Sequence, residues 1–124
     1  MAHNLTELDE YIPADVARLM HEKVSPEQYE ELVYKHEDLW LELTSSGELI
    51  VIPPKGLAHG NRSSRLTYQV AAWARTDRSG VCFGSSTVFA LPDGSRRIPD
   101  ASWIKREKWD SLTKDEREGF GPFC

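Results

Sequence analysis

One carboxylate lies in a segment that otherwise has the residue pattern of a β-strand. Residues 87–91 and 97–104 are predicted to form two strands joined by the turn Pro92-Asp93-Gly94, in which proline presets φ and glycine accepts a positive φ. With a period of two, Asp100 points to the same face as two isoleucines. A half-buried carboxylate is costly unless it is paired, hydrogen-bonded or bound to a cation. Asp100 is therefore the first candidate for chemistry; the alternative is a bend at Pro99 with a solvated or backbone-capping Asp100.

Cations surround this carboxylate in sequence and recur at the start of a predicted helix. Arginine binds phosphate oxygens through a fork of N–H donors, so these side chains are candidates for contacting a nucleic-acid backbone. The candidates are Arg62, Arg65, Arg96, Arg97, Lys105 and Arg106. Two alternatives stay open. The cations near the strands could discourage strand addition at a sheet edge, and those on the helix could be solvated or pair with acidic residues.

Charge is distributed unevenly along the chain, whose formal net charge is −5. Residues 1–54 carry 12 acidic and 3 basic side chains, whereas residues 55–106 carry 3 acidic and 9 basic ones. A basic segment within an acidic protein is a candidate surface for a polyanion. The alternative is that the acidic and basic segments complement each other within the fold or across a dimer.

The segment around Asp100 resembles a known family. The central part of this segment is Arg97-Ile98-Pro99-Asp100-Ala101-Ser102-Trp103-Ile104. It follows Phe-Ala-Leu-Pro-Asp-Gly and precedes Lys105-Arg106-Glu107-Lys108-Trp109. With the upstream Leu-Ile-Val-Ile-Pro-Pro run and the His59-Gly60-Asn61-Arg62 helix start, this order of elements is similar to the putative restriction endonuclease family of the PD-(D/E)xK nuclease superfamily. The similarity covers the chain from about Leu39 onward.

The resemblance implies a function and a site. It implies a Mg²⁺-dependent (or Mn²⁺-dependent) endonuclease that hydrolyses phosphodiester bonds in nucleic acid, with DNA as the expected substrate. Asp100 would be the catalytic residue and metal ligand. The next acidic strand of the family's site would follow Cys124, so the resemblance implies a truncated core that is inactive as 124 residues. The alternative is a non-catalytic module that keeps the nuclease scaffold for oligomerisation or nucleic-acid binding.

The predicted elements indicate an α/β (α+β) fold, with a mixed β-sheet flanked by helices. Residues 1–38 are predicted to be an N-terminal helical segment, and residues 39–124 the N-terminal part of a nuclease-like core. The elements are helices over 13–24, from Ser25 onward and over 61–78, a hairpin over 39–52, the hairpin containing Asp100, and a short helix after Thr113. Leu66, Val70, Trp73 and Ala74 are the predicted buried side of the long helix, which Gly80 is expected to end.

Composition limits the remaining possibilities. A hydrophobic fraction of 40 % fits a folded domain, and we expect neither a signal peptide nor a membrane span. Cys82 and Cys124 lack the spacing of a zinc site, which favours free thiols in a cytoplasmic setting. His3, His21 and His36 are predicted to be solvated, and Trp73, Trp103 and Trp109 to belong to the core. A homo-oligomer is the expected assembly, because an incomplete sheet edge favours self-association.

Overall fold

A computed structural model of the chain describes residues 12–119, and the chain divides into two compact units. The first unit is Met1–Pro53 with Asp93–Arg96, and the second is Pro54–Pro92 with Arg97–Cys124. Helices and antiparallel strand pairs occur together, so the predicted α+β class is confirmed. The elements are α1 (Ala14–Leu19), α2 (Pro26–Lys35), β1 (Trp40–Leu43), β2 (Leu49–Ile52), α3 (Leu57–Asp77), β3 (Gly80–Phe83), β4 (Phe89–Ala90), β5 (Arg96–Arg97), β6 (Ser102–Lys105), α4 (Arg106–Ser111) and α5 (Lys114–Glu118). The domain boundary near residue 38 stays a prediction.

The start of α2 is set by a local hydrogen-bond exchange. The Ser25 hydroxyl accepts a hydrogen bond from the backbone N–H of Gln28 at 3.1 Å, and the Gln28 side chain accepts one from the Ser25 N–H at 2.9 Å. Pro26, at the first helical position, has no N–H that would need a partner. These contacts satisfy donors that a helix start leaves free, so the predicted capping box is confirmed.

Strands β1 and β2 form the predicted hairpin, with Leu43 opposite Leu49. The turn contains Gly47 at φ +88°, a conformation that favours glycine. Leu39, Leu41 and Leu43 are buried, as their alternation predicted. Strand β1 lies between β2 and β5, which it meets through Leu43 and Arg96. The prediction that β2 is covered on both faces is wrong, because Ile50 is exposed while Leu49 is buried.

The core of the first unit contains one buried polar contact. Tyr29 is fully buried on α2, and its hydroxyl donates a 2.6 Å hydrogen bond to the backbone carbonyl of Leu41. Burial raises the pKa of the Tyr29 phenol above its usual range, so the hydroxyl stays protonated and keeps donating. The surrounding buried hydrophobic side chains of this unit are Val16, Leu19, Val24, Leu32, Leu39, Leu41, Leu43 and Leu49.

The long helix α3 differs from its prediction at both ends and on its buried side. It begins at Leu57, directly after Gly56, and it ends before Arg78, whose left-handed φ of 61° stops the helix in place of Gly80. Ala74 is buried, but Leu66 and Trp73 are 46 % and 50 % exposed. The prediction that these two side chains face the core is therefore wrong for the part of the chain that the structure describes.

Strands β3 and β6 form a separate antiparallel pair in the second unit, with Gly80 opposite Lys105. A Cβ atom built on Gly80 would lie 2.2 Å from the Ile104 carbonyl oxygen and 2.2 Å from the Trp103 ring. Glycine is needed at this position because the neighbouring strand and its indole approach the backbone so closely.

The strand predicted over residues 97–104 is interrupted. Strand β5 ends at Arg97, β6 begins at Ser102, and no residue between them is in a strand. Pro99 explains the interruption, since it lacks the N–H that a ladder requires and fixes φ. The prediction of one continuous strand is wrong, although the turn before it is confirmed, with Gly94 at φ +89° and both Ser95 donors on the Asp93 carboxylate.

Aromatic rings pack along the second unit. Trp73 and Trp103 lie 5.4 Å apart between ring centroids, and Phe83 lies 5.6 Å from Phe89 and 5.7 Å from Trp109. The prediction of core tryptophans is wrong for Trp73, which is half exposed.

The predicted short helix is confirmed by a second capping box, between Thr113 and Glu116.

Candidate functional site

Asp100 lies in a bend between β5 and β6, and its side chain is 49 % exposed. The predicted position between two strand isoleucines is wrong, because residues 98–101 are not in a strand, and the alternative of a bend with a solvated Asp100 is confirmed. A half-exposed carboxylate stays solvated and needs no buried partner. Its oxygens can therefore serve as ligands for a species that enters from solvent.

Helix α3 contacts the Asp100 bend at two points. The Thr67 hydroxyl donates a 3.3 Å hydrogen bond to the Asp100 backbone carbonyl, and Nε2 of His59 lies 3.6 Å from Oδ1 of Asp100. His59 is in the first turn of α3, where the positive end of the helix dipole favours a carboxylate. Helix α3 thus contacts the backbone of Asp100 through Thr67 and places the His59 ring next to its carboxylate.

His59 is a site residue that the sequence did not identify. In the sequence it stands only at the His59-Gly60 helix start, without an evident chemical role. A histidine next to a predicted helix start was an available signal, but its pairing with Asp100 is a contact between residues far apart in the chain. Spacing alone does not reveal such a contact.

Arg62 and Arg65 project from the exposed side of α3. Together with Leu66 and Gln69 they line an open concavity of about 190 Å³. These four residues follow helical spacing, so they lie on neighbouring positions of one helix face. The concavity combines two guanidinium groups with one amide and one aliphatic side chain. This combination suits an organic anion, whose charged part would meet the guanidinium groups and whose apolar part would meet the aliphatic side chain.

The other candidate cations have different surroundings. Lys105 is exposed at the end of β6, and Arg97 is half-buried in β5. The guanidinium of Arg106 donates to the Gly80 carbonyl at 3.3 Å. Arg96, whose side chain is only 12 % exposed, donates to the Gly94 and Ser95 carbonyls and lies 3.7 Å from Glu30. Binding of nucleic acid by Arg96 stays a prediction, but its contacts with Gly94, Ser95 and Glu30 favour a structural role.

Comparison with known proteins identifies the family. Residues 26–124 match the family described as Uma2, putative restriction endonuclease. The chain belongs to the Uma2 family. Since the match covers most of the chain, it confirms the resemblance that was based on the segment around Asp100. No curated protein matches this Uma2 chain at a significant level.

Divalent metal ions are the cofactors to consider for a restriction-endonuclease-like family. Within residues 12–119, no group of three or more His, Cys, Asp or Glu side chains could hold a metal ion. The residues around Asp100 supply one carboxylate and one imidazole. Magnesium in phosphoryl-transfer sites keeps several waters and takes one or two carboxylates plus substrate phosphates. The donors at Asp100 therefore fit a solvent-accessible divalent ion and do not form a closed structural site.

A second carboxylate with an imidazole neighbour lies in the first unit and has different chemistry. Asp15 accepts hydrogen bonds from Lys35 Nζ at 2.8 Å and lies 3.0 Å from His36 Nε2. These two partners, Lys35 first, hold the pKa of the Asp15 carboxyl well below its usual range. The prediction that His36 is solvated is wrong, since its side chain is only 16 % exposed, whereas His21 is exposed. His3 lies outside the described residues.

None of the helices in residues 12–119 has the length and apolar character that a membrane crossing would require. Cys82 is a free thiol, as predicted, and Cys124 lies outside the described residues.

Proposed function

We propose that this Uma2 protein is a metal-dependent endonuclease that hydrolyses phosphodiester bonds in DNA. The observation that supports this most strongly is the half-exposed Asp100 carboxylate, placed beside His59 by the bend between β5 and β6 in a chain of a putative restriction endonuclease family. Asp100 would hold Mg²⁺ or Mn²⁺. When bound, such an ion lowers the pKa of a water molecule and polarises a phosphate oxygen.

The cations on α3 and β6 supply the phosphate contacts in this proposal. Arg62 and Arg65 are exposed, and each can donate two parallel hydrogen bonds to one phosphate group. Lys105, also exposed, contributes charge without directional bonding. Because these contacts involve the nucleic-acid backbone, they favour binding without selecting a base sequence.

Cleavage of supercoiled plasmid DNA tests the proposal. The protein expressed from its native gene is expected to cut in Mg²⁺ or Mn²⁺ and to stop when EDTA is added. Asp100→Asn should lower the rate by about 100-fold or more, since even groups that only orient a metal ligand are worth about 10- to 100-fold in affinity or activity. Asp38→Asn, which changes another exposed carboxylate, is the matched control and should cut like the wild type.

A second function is favoured by a specific observation. Residues 55–106 carry 9 basic and 3 acidic side chains, which suits a non-catalytic module that binds nucleic acid through this basic segment. Gel-shift titrations at two salt concentrations distinguish the two functions. Salt-sensitive binding without cleavage in either metal, unchanged by Asp100→Asn, would contradict the endonuclease and support the binding module. Homo-oligomerisation stays a prediction that sedimentation velocity can check.

A further inference from the structure

The spacing between His59 and Asp100 differs from that of an ordinary hydrogen-bonded pair. Nε2 and Oδ1 are 3.6 Å apart, which is too long for a hydrogen bond. The His59 side chain is 33 % exposed and that of Asp100 is 49 % exposed, so solvent and small ions can reach both atoms. The first unit provides a contrast, because Asp15 lies 3.0 Å from His36 and is also bonded to Lys35.

Two ligands of one metal ion stand at a defined separation. With both donor atoms about 2.1 Å from the ion, they are about 3.0 Å apart at a right angle, about 3.4 Å at the tetrahedral angle and about 4.2 Å on opposite sides. The observed 3.6 Å is about 0.6 Å longer than the right-angle separation that adjacent ligands of an octahedral Mg²⁺ or Mn²⁺ ion require. Rotation of the half-exposed Asp100 side chain can close this gap without any movement of the backbone.

We propose that His59 Nε2 and Asp100 Oδ1 bind the same divalent ion, and that the imidazole makes this site prefer Mn²⁺ to Mg²⁺. The inference rests on the proposed role of Asp100 as a metal ligand. Magnesium takes oxygen ligands almost entirely, whereas nitrogen ligands are accepted by first-row transition ions. A site that contains one imidazole nitrogen therefore discriminates between the two ions. Water and phosphate oxygens complete the coordination.

The local structure restrains the backbone of both residues before any ion arrives. His59 belongs to a helix of 21 residues, which restricts its backbone. Pro99 restricts the chain next to Asp100, and the Thr67 hydroxyl holds the Asp100 carbonyl against the same helix. A restrained backbone reduces the conformational entropy lost on binding, although the two side chains must still be ordered, which supports measurable affinity even for a two-ligand site.

Metal titrations of the full 124-residue chain test the proposal, with binding of Mn²⁺ and Mg²⁺ followed by calorimetry. His59→Ala should weaken Mn²⁺ binding by about tenfold or more, since groups that only orient a ligand already contribute about 10- to 100-fold. Mg²⁺ binding should change much less. His21→Ala, which removes an exposed histidine from another region, is the matched control and should leave both affinities unchanged.

A spectroscopic measurement separates ligation from a structural effect. Electron spin echo spectra of bound Mn²⁺ should contain a modulation from a coordinated imidazole nitrogen, and His59→Ala should remove it while His21→Ala should not. Wild-type spectra without nitrogen modulation, or equal Mn²⁺ affinities for wild type and His59→Ala, would overturn the inference.

Two outcomes separate the role of His59 as a metal ligand from the proposed endonuclease function. Cleavage that depends on Asp100 but not on His59, with equal use of both metals, would leave the endonuclease and remove His59 as a ligand. Binding of neither ion by the wild type would reject the shared site and the metal-dependent endonuclease together.

Discussion

The two units of this protein handle their hydrophobic side chains differently. The first unit buries an alternating leucine row of β1 together with Tyr29 and the apolar side chains of α1. In the second unit, α3 leaves Leu57, Leu66, Tyr68 and Trp73 exposed and buries Ala74 among the described residues. The polar residues of the candidate site, His59, Thr67 and Asp100, lie in this second unit. Stability is thus expected to depend mainly on buried leucines in the first unit, and in the second also on close backbone approaches such as that at Gly80.

The largest expected effect comes from removing a buried side chain of β1. Leu41→Ala deletes a fully buried side chain and should lower the free energy of unfolding by about 2–5 kcal/mol. Leu66→Ala, at a position that is 46 % exposed on α3, should cost about 1 kcal/mol or less. Urea denaturation of both variants measures the difference. Equal losses would contradict the contrast between the two units.

In the second unit, the most sensitive position is a glycine. Gly80→Ala would place a Cβ 2.2 Å from both the Ile104 carbonyl and the Trp103 ring, and should cost about 1–3 kcal/mol or more. Gly60→Ala, within α3, meets no described atom within 4 Å and should stabilise the helix by up to about 1 kcal/mol. Thermal unfolding of the two variants checks these opposite signs. Two stabilised variants would mean that β3 and β6 do not approach as closely as described.

The smallest expected effect concerns the charged contacts between α1 and the end of α2. Because Lys35 and His36 lower the pKa of Asp15, this carboxylate stabilises the fold above the pKa of an unfolded aspartate, about 3.9. The contribution should be lost as pH falls below that value and the carboxyl becomes protonated. Asp15→Asn should therefore lower the melting temperature slightly at pH 7 and have no effect at strongly acidic pH.

Glu37→Gln, at an exposed position near the end of α2, is the control for that pH series. It should leave the melting temperature close to that of the wild type. A melting-temperature difference between Asp15→Asn and the wild type that persists unchanged into strong acid would contradict the assigned role of the Asp15 carboxylate.

Local sequence signals predicted three features of the first unit. The Ser25 capping box, the hairpin around Gly47 and the burial of Leu39, Leu41 and Leu43 each depend on residues a few positions apart. Such patterns are decided by backbone propensity and side-chain alternation, which the sequence contains directly. The same reasoning failed for α3, because helical periodicity indicates which side chains share a face but not whether another element covers it.

The candidate site was predicted only in part. The sequence made Asp100 a candidate through a predicted half-buried strand position, which is wrong, and the role of Asp100 stays a prediction. The surrounding segment indicated the putative restriction endonuclease family, which the match over residues 26–124 confirmed. The sequence did not identify His59, since the approach of its ring to Asp100 requires α3 and the bend to lie side by side.

By itself, the sequence determined the capped helix starts at Ser25 and Thr113, the turns, the alternation of β1 and the family, because each depends on neighbouring residues or on their order along the chain. Only the tertiary structure decided that β3 pairs with β6 and that an imidazole lies 3.6 Å from the carboxylate. These are contacts between residues far apart in sequence. They form when packing and strand pairing outweigh the local preference of each segment.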